Sequence, residues 1–173
     1  TREVSELSQE VEKLSRLSGT DAVTFQKWAA GAASVGIQQD KLADILKDVN
    51  DRVGDFLQTG GGPMADFFEN VAPRVGVTAD QFARLSGPEA LQLYVDTLER
   101  AGLSQQEMTF YLEAMASDAT RLIPLLRNGG AEMARLGDQA SDLGAVRPAP
   151  ARRQRHGSDR TGDPRRQIGR AHV

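Results

Sequence analysis

The chain has no cysteine among its 173 residues, two histidines, one tryptophan and 5% aromatic residues. Without cysteine there is no disulfide framework, no thiolate metal site and no thiol nucleophile. Both histidines, His156 and His172, lie near the C-terminal end, so residues 1–146 hold no imidazole base for a hydrolytic triad. No apolar run approaches the roughly 20 residues that a membrane-spanning helix needs. The opening Thr1-Arg2-Glu3-Val4 has neither an initiator Met nor a basic-then-apolar signal peptide, and reads as an excerpt of something longer. The length suits one domain with a modest core, or a fragment.

The net charge of −3 averages two unlike pieces. Residues 1–146 carry 13 Lys+Arg against 22 Asp+Glu, a net of −9. Residues 147–173 carry 8 Arg against 2 Asp, a net of +6, with three of the seven prolines. This second piece has no apolar periodicity and too little hydrophobic surface to offset the entropy of ordering, so disorder is expected there. An Arg-rich end suits a nucleic-acid arm, because guanidinium groups neutralise phosphates. No aromatic residue interleaves for base stacking, however, and no nucleic-acid site is supported beyond charge. The final Ile168-Gly-Arg-Ala-His-Val173 resembles a translated frame of a common sequencing adapter, and the Arg- and Pro-rich stretch before it resembles GC-rich DNA read out of frame. Residues 147–173 are therefore read as an artefact in preference to a natural tail, and are set apart from the fold.

Residues 1–146 read as an all-α chain of short helical hairpins. Val4, Leu7, Val11 and Leu14 sit three and four apart, extended by Leu17; this seam packs one amphipathic helix on its neighbours, or ends a longer coiled coil. A recurrent signal follows. Gly36, Gly76 and Gly102 are each followed by an apolar residue at +1 and further apolar residues at +6 and +9, and Gly19 begins a weaker copy leading to Phe25 and Trp28. The physics is helix, stop, helix: glycine takes the left-handed conformation past a helix end, and the next apolar residue folds back. Thr78 and Ser104 are expected to cap the helices that follow, Ser104 forming a capping box with Glu107. Gly62-Pro63 and Gly87-Pro88 mark two further starts. The Gly-to-Gly spacings of 17, 40 and 26 are unequal, which excludes a regular solenoid. Helices are expected over 39–57, 63–71, 79–85, 88–101, 105–116, 118–126 and 131–143, with Pro124 kinking or dividing the segment that holds it. No alternating stretch makes a strand.

The search for chemistry finds little. Asp40, Asp44, Asp48, Asp51 and Asp55 form an acidic ladder on the 39–57 helix, balanced in part by Lys41, Lys47 and Arg52. A calcium loop started at Asp48 fails, since Arg52 and Val53 fill the next ligand and glycine positions; the ladder reads as a solvated face. No carboxylate pair stands out for glycosidic hydrolysis. Gly60-Gly61-Gly62-Pro63 lacks the Lys-Ser/Thr of a phosphate-binding loop and reads as a flexible joint. Phe67 and Phe68, about 100° apart on a helix, are expected to face different surroundings, one in a core and the other on an adjacent hairpin or a partner. Trp28 with Phe25, and Tyr94, read as core. No catalytic, cofactor-binding or metal-binding residue emerges, no cofactor is implied, and no enzyme is expected.

Several consecutive blocks nonetheless resemble the phage tail length tape measure proteins. They are the run from Asp40 through Asp44, Asp48 and Asp51 to Phe56, then Gly60-Gly-Gly-Pro-Met-Ala-Asp-Phe-Phe-Glu69, Leu85-Ser-Gly-Pro-Glu-Ala-Leu91, and Met108-Thr-Phe-Tyr111 through Leu122-Ile-Pro-Leu-Leu126. The resemblance spans nearly all of residues 1–146 and contains no catalytic signature. Members of that family are typically many hundreds of residues long, so it implies one internal fragment. It also implies a structural role: occupancy of the tail tube lumen, self-association there, a length that sets how many rings of tail tube protein stack, and contacts with tail assembly chaperones and the baseplate hub. The expected location is the virion tail, and the bacterial host cytoplasm during assembly. Two other readings compete. One is a helical adaptor that uses the Val4–Leu17 seam or Phe67 and Phe68. The other is a non-catalytic piece of a larger peptidoglycan hydrolase.

Overall fold

The computed structural model describes residues 2–148, and among these every element is helical. Helix α1 is Arg2–Leu17, α2 Ala22–Ser34, α3 Gln39–Thr59, α4 Gly87–Arg100, α5 Gln105–Met115 and α6 Ile123–Asp142. Between α3 and α4 the chain makes a π-helical turn over Phe67–Val71 and two 3₁₀ turns, Ala72–Val75 and Ala79–Phe82; a third, Ala119–Leu122, leads into α6. The hairpins share one hydrophobic core, which runs from Leu14 on α1 to Met133 on α6. Helix α4 lies deepest, with Leu91, Tyr94 and Leu98 fully buried.

The glycine stops account for how the hairpins close. Gly36 and Gly76 have φ of 78° and 72°. In each case the following apolar amide reaches back to a carbonyl of the last turn: Ile37 N–H donates to Ala32 O at 2.9 Å, and Val77 N–H to Ala72 O at 3.0 Å. That is the bond pattern of a Schellman cap, and it inserts Ile37 and Val77 into the core. The residues at +6, Leu42, Phe82 and Met108, are buried as well. One repeated sequence signal thus supplies both the turn and the core contact after it.

Several elements differ from the sequence reading. Thr78 precedes the Ala79–Phe82 turn but makes no side-chain cap bond, whereas Ser104 and Glu107 form the expected capping box. A second capping box, Ser86 with Glu89, opens α4 ahead of Pro88. The 79–85 segment is only a 3₁₀ turn, since nothing caps it and Leu85-Ser86-Gly87 already commits to the next helix. Pro124 occupies the first turn of α6, where its missing N–H costs nothing, and the 118–126 segment divides just before it, at Leu122/Ile123. The larger break in α6 comes later, at Arg127–Gly130. The wide π-helical turn also alters the fate of Phe67 and Phe68. Both are buried, at 0% and 8% exposure, in one core.

Three close approaches set the packing. Beside Gly31 of α2 lies the Met133 sulfur of α6, and beside Gly137 of α6 lies the Lys27 side chain, so α2 and α6 meet along a seam of small residues. Gly87 sits against the Ser18 carbonyl oxygen. That same carbonyl accepts from Asn50 Nδ2 at 3.1 Å, which ties the α1–α2 turn to α3 and to the start of α4. At the far end Arg147 closes the chain onto itself. Its N–H donates to Gln26 Oε1 (2.9 Å), its carbonyl accepts from Gln26 Nε2 (3.0 Å), and its guanidinium reaches Val4 O (3.2 Å) and Ser8 Oγ (3.3 Å).

Candidate functional surfaces

The acidic ladder lies along α3 with Asp40, Asp44, Asp51 and Asp55 exposed and Asp48 half-buried. Neighbouring cations take up part of the local charge. Lys47 pairs with Asp51 at 2.5 Å, and Lys41 reaches off the helix to Asp118 at 2.7 Å. The hydrogen bond and charge of Lys41 hold the Asp118 carboxyl below its ordinary value and raise the lysine in return. Arg52 turns inward and its Nε donates to Met115 O at 2.9 Å, closing the carbonyl end of α5. Among the described residues no three His, Asp or Glu side chains gather where a metal ion could be held.

Six of the nine aromatic residues, Phe56, Phe67, Phe68, Phe82, Tyr94 and Tyr111, converge on one cluster. Phe68 stacks on Phe56 with centroids 4.4 Å apart, and meets Phe82 edge-on at 5.3 Å. Phe67 packs on Tyr94 at 4.3 Å. The Tyr94 hydroxyl donates to Tyr111 O at 2.6 Å, and the Tyr111 hydroxyl donates to Asp66. Burial pushes the Tyr94 phenol well above its ordinary value. Burial, then the bond to Asp66, push Tyr111 up to about 12. These phenols are proton-holding structural groups: Tyr94 is tied to a backbone carbonyl, and Tyr111 to the Asp66 carboxylate at the exposed edge of the cluster. The cluster belongs to the core and offers no open binding face.

A groove of about 350 Å³ lies between α2, the start of α4 and α6. Trp28, Pro88 and Met133 line its apolar part, and Lys27, Asp138 and Gln92 its polar part. Lys27 and Asp138 face each other at 3.4 Å. Gln92 is committed elsewhere, its Nε2 donating to Leu126 O and to Asp96, both at 2.8 Å. The groove therefore combines an indole wall with a paired rim, and contains no nucleophile held against a base. Trp28, expected as core, packs half-buried against the core's edge, and its outer side forms groove wall. Gln92 carries no sequence signal at all, because its role depends on a carbonyl that is 34 residues away.

Of the α1 seam, Leu14 is buried and Val11 half-buried, while Val4 and Leu7 are 52% and 53% exposed. Leu7 borders an open groove that it shares with Ala29 and Ala30 of α2 and Ala140 of α6. Phe110 on α5 and Leu143 past α6 are the other strongly exposed apolar side chains, at 61% and 78%. Gly60 ends α3 in the left-handed conformation, its N–H donating to Phe56 O at 2.8 Å, so the Gly60–Gly62 run begins as a helix stop. No helix among the described residues is long and apolar enough to cross a membrane. His156, His172 and the Arg-rich segment apart from Arg147 and Pro148 lie outside the described residues. No protein-family model, curated protein or solved structure matches the chain.

Proposed function

We propose that the chain is a structural segment of a phage tail length tape measure protein, acting in tail assembly and not in catalysis. The observation that carries this reading is the ordered series of blocks from Asp40 to Leu126, which resembles that family and coincides with the helices and their stops: α3, the Gly60–Glu69 joint and π turn, the Ser86 cap and start of α4, and α5 through the start of α6. An α-helix advances 1.5 Å per residue, so a helical chain drawn out along an axis is a ruler graduated by residue count. In this role the chain lies in the lumen of the tube, in contact with tail tube protein and with other copies of itself. Assembly chaperones hold it beforehand in the host cytoplasm, and the baseplate hub anchors it in the virion tail.

The test is an in-frame deletion from the parent gene, read by electron microscopy of tails. Removing thirty helical residues should shorten tails by about 45 Å. Tails of unchanged length overturn the reading. The adaptor reading has one observation of its own, the exposed Val4–Leu7 face of α1. It predicts unchanged tail length on deletion, together with a partner lost when both residues become polar.

A further inference from the structure

Of the three asparagines in the chain, only Asn128 is followed by glycine; Asn50 precedes Asp51 and Asn70 precedes Val71. The structure separates them further. Asn50 Nδ2 is held on Ser18 O at 3.1 Å, and Asn70 Nδ2 donates to Asp66 Oδ1 at 2.6 Å. Asn128 and Gly129 are both exposed, and an added Cβ at Gly129 would meet nothing within 4 Å. They lie in the break of α6. There Arg127 is extended (φ −61°, ψ 156°), and Asn128, Gly129 and Gly130 follow in the left-handed region with φ of 54°, 71° and 79°. Asparagine and glycine enter that region most readily, so the bend suits its sequence. Contacts from two other helices fix it. Gln92 of α4 donates from Nε2 to Leu126 O at 2.8 Å and packs its amide against Gly130, while Arg127 donates to Gln105 Oε1 of α5 at 2.9 Å.

We infer that Asn128 is a site of spontaneous deamidation, and that the left-handed link is the gate that controls it. Asparagine is a chemically labile side chain, and glycine after it leaves the next backbone nitrogen unshielded. The Gly129 nitrogen attacks Asn128 Cγ and forms a C–N bond. The Cγ–Nδ2 bond breaks, and the amide leaves as ammonia, carrying the proton that the Gly129 nitrogen gives up. A five-membered succinimide remains. Water then adds across one of its two ring C–N bonds, giving an ordinary Asp or a β-linked isoaspartate. Ring closure requires the Gly129 nitrogen over the Asn128 side chain. With ψ of 47° at Asn128, that nitrogen points the opposite way, across the Cα–C bond from Cβ. The link must therefore open before the ring can close. Either product places a new carboxylate beside Arg127, and isoaspartate also adds one atom to the main chain, so each conversion leaves a lasting mark of an opening.

The test follows the full chain in neutral buffer, folded and in urea above its unfolding transition, by peptide mass mapping of all three asparagines. In unfolding urea Asn128 should convert first, to a mixture of Asp and isoaspartate. In the folded chain the same conversion should be several-fold slower. Urea below the transition should change the folded rate little, because a local opening exposes little surface. Gln92→Ala removes the contacts to Leu126 and Gly130, and should raise the folded rate several-fold while circular dichroism shows the helices intact. Should that variant fail to fold, Arg127→Ala removes the bond to Gln105 and carries the same expectation. An Asn128 that stays intact in unfolding urea, or yields Asp without isoaspartate, overturns the site. Equal rates in folded and unfolded chains overturn the gate, as does a folded rate that climbs with urea below the transition, or a folded variant with the unaltered chain's rate.

Discussion

At Gly87 an added methyl would strike the carbonyl oxygen of Ser18, and Asn50 holds that oxygen in place. Gly87→Ala should cost about 1–3 kcal/mol, as overpacking of a fixed backbone does. Gly36 has open space around it but a φ of 78°, so Gly36→Ala should cost about 1–2 kcal/mol from the conformation alone. Gly54 has neither constraint, lying inside α3 with nothing within 4 Å of an added Cβ. Gly54→Ala should instead stabilise by about 0.5–1 kcal/mol. Urea midpoints for the three variants rank these effects against each other, and a common sign for all three would contradict the structure. The phenols make a prediction in pH. Tyr111 is raised from 10.0 to about 12 by burial and by Asp66, and Tyr94 is raised also. The folded state therefore holds these protons more tightly than the unfolded chain does. The stability they contribute is full below pH 10 and is lost as pH climbs toward 12. Tyr111→Phe should flatten the alkaline limb of a plot of unfolding free energy against pH, and an unchanged limb would count against the Tyr111–Asp66 bond.

The caps separate elements that look alike in sequence. Ser86 and Ser104 each accept from the backbone of a glutamate three residues on, while Thr78 accepts nothing. Ser86→Ala and Ser104→Ala should each cost about 1 kcal/mol, and Thr78→Ala should fall within about 0.5 kcal/mol of zero. Thermal unfolding followed by circular dichroism distinguishes them. The extent of α3 and the stops at Gly36, Gly76 and Gly102 were legible, because periodicity and a left-handed glycine are local signals. Ser86 carries the same local signal, as Ser-Gly-Pro-Glu has the capping-box spacing. The common burial of Phe67 and Phe68 was not legible. It depends on a π-helical turn that packing against Phe56, Phe82 and Tyr94 stabilises, and no helical wheel contains that turn. The same holds for Gln92, whose carbonyl partner comes from another helix. Phe67→Ala should cost about 3–5 kcal/mol, whereas Phe110→Ala, on an exposed ring, should be close to neutral.

For the whole molecule, the single core means that removing any one hairpin exposes the others, so deletions within the folded body should unfold it cooperatively and not helix by helix. The clasp between Arg147, Gln26, Val4 and Ser8 has a consequence of a mechanical kind. It brings the two ends of the described chain side by side, so in the folded state the segment adds almost nothing to the distance between whatever flanks it. Fully drawn out, the same stretch spans about 500 Å. A pull along the chain would load those few exposed hydrogen bonds first and open them one after another, like a zipper, before the core felt the force. The fold is thus a store of slack whose latch is its weakest part. Arg147→Ala should lower the force at which length is first released in an optical trap, while leaving the total length released unchanged.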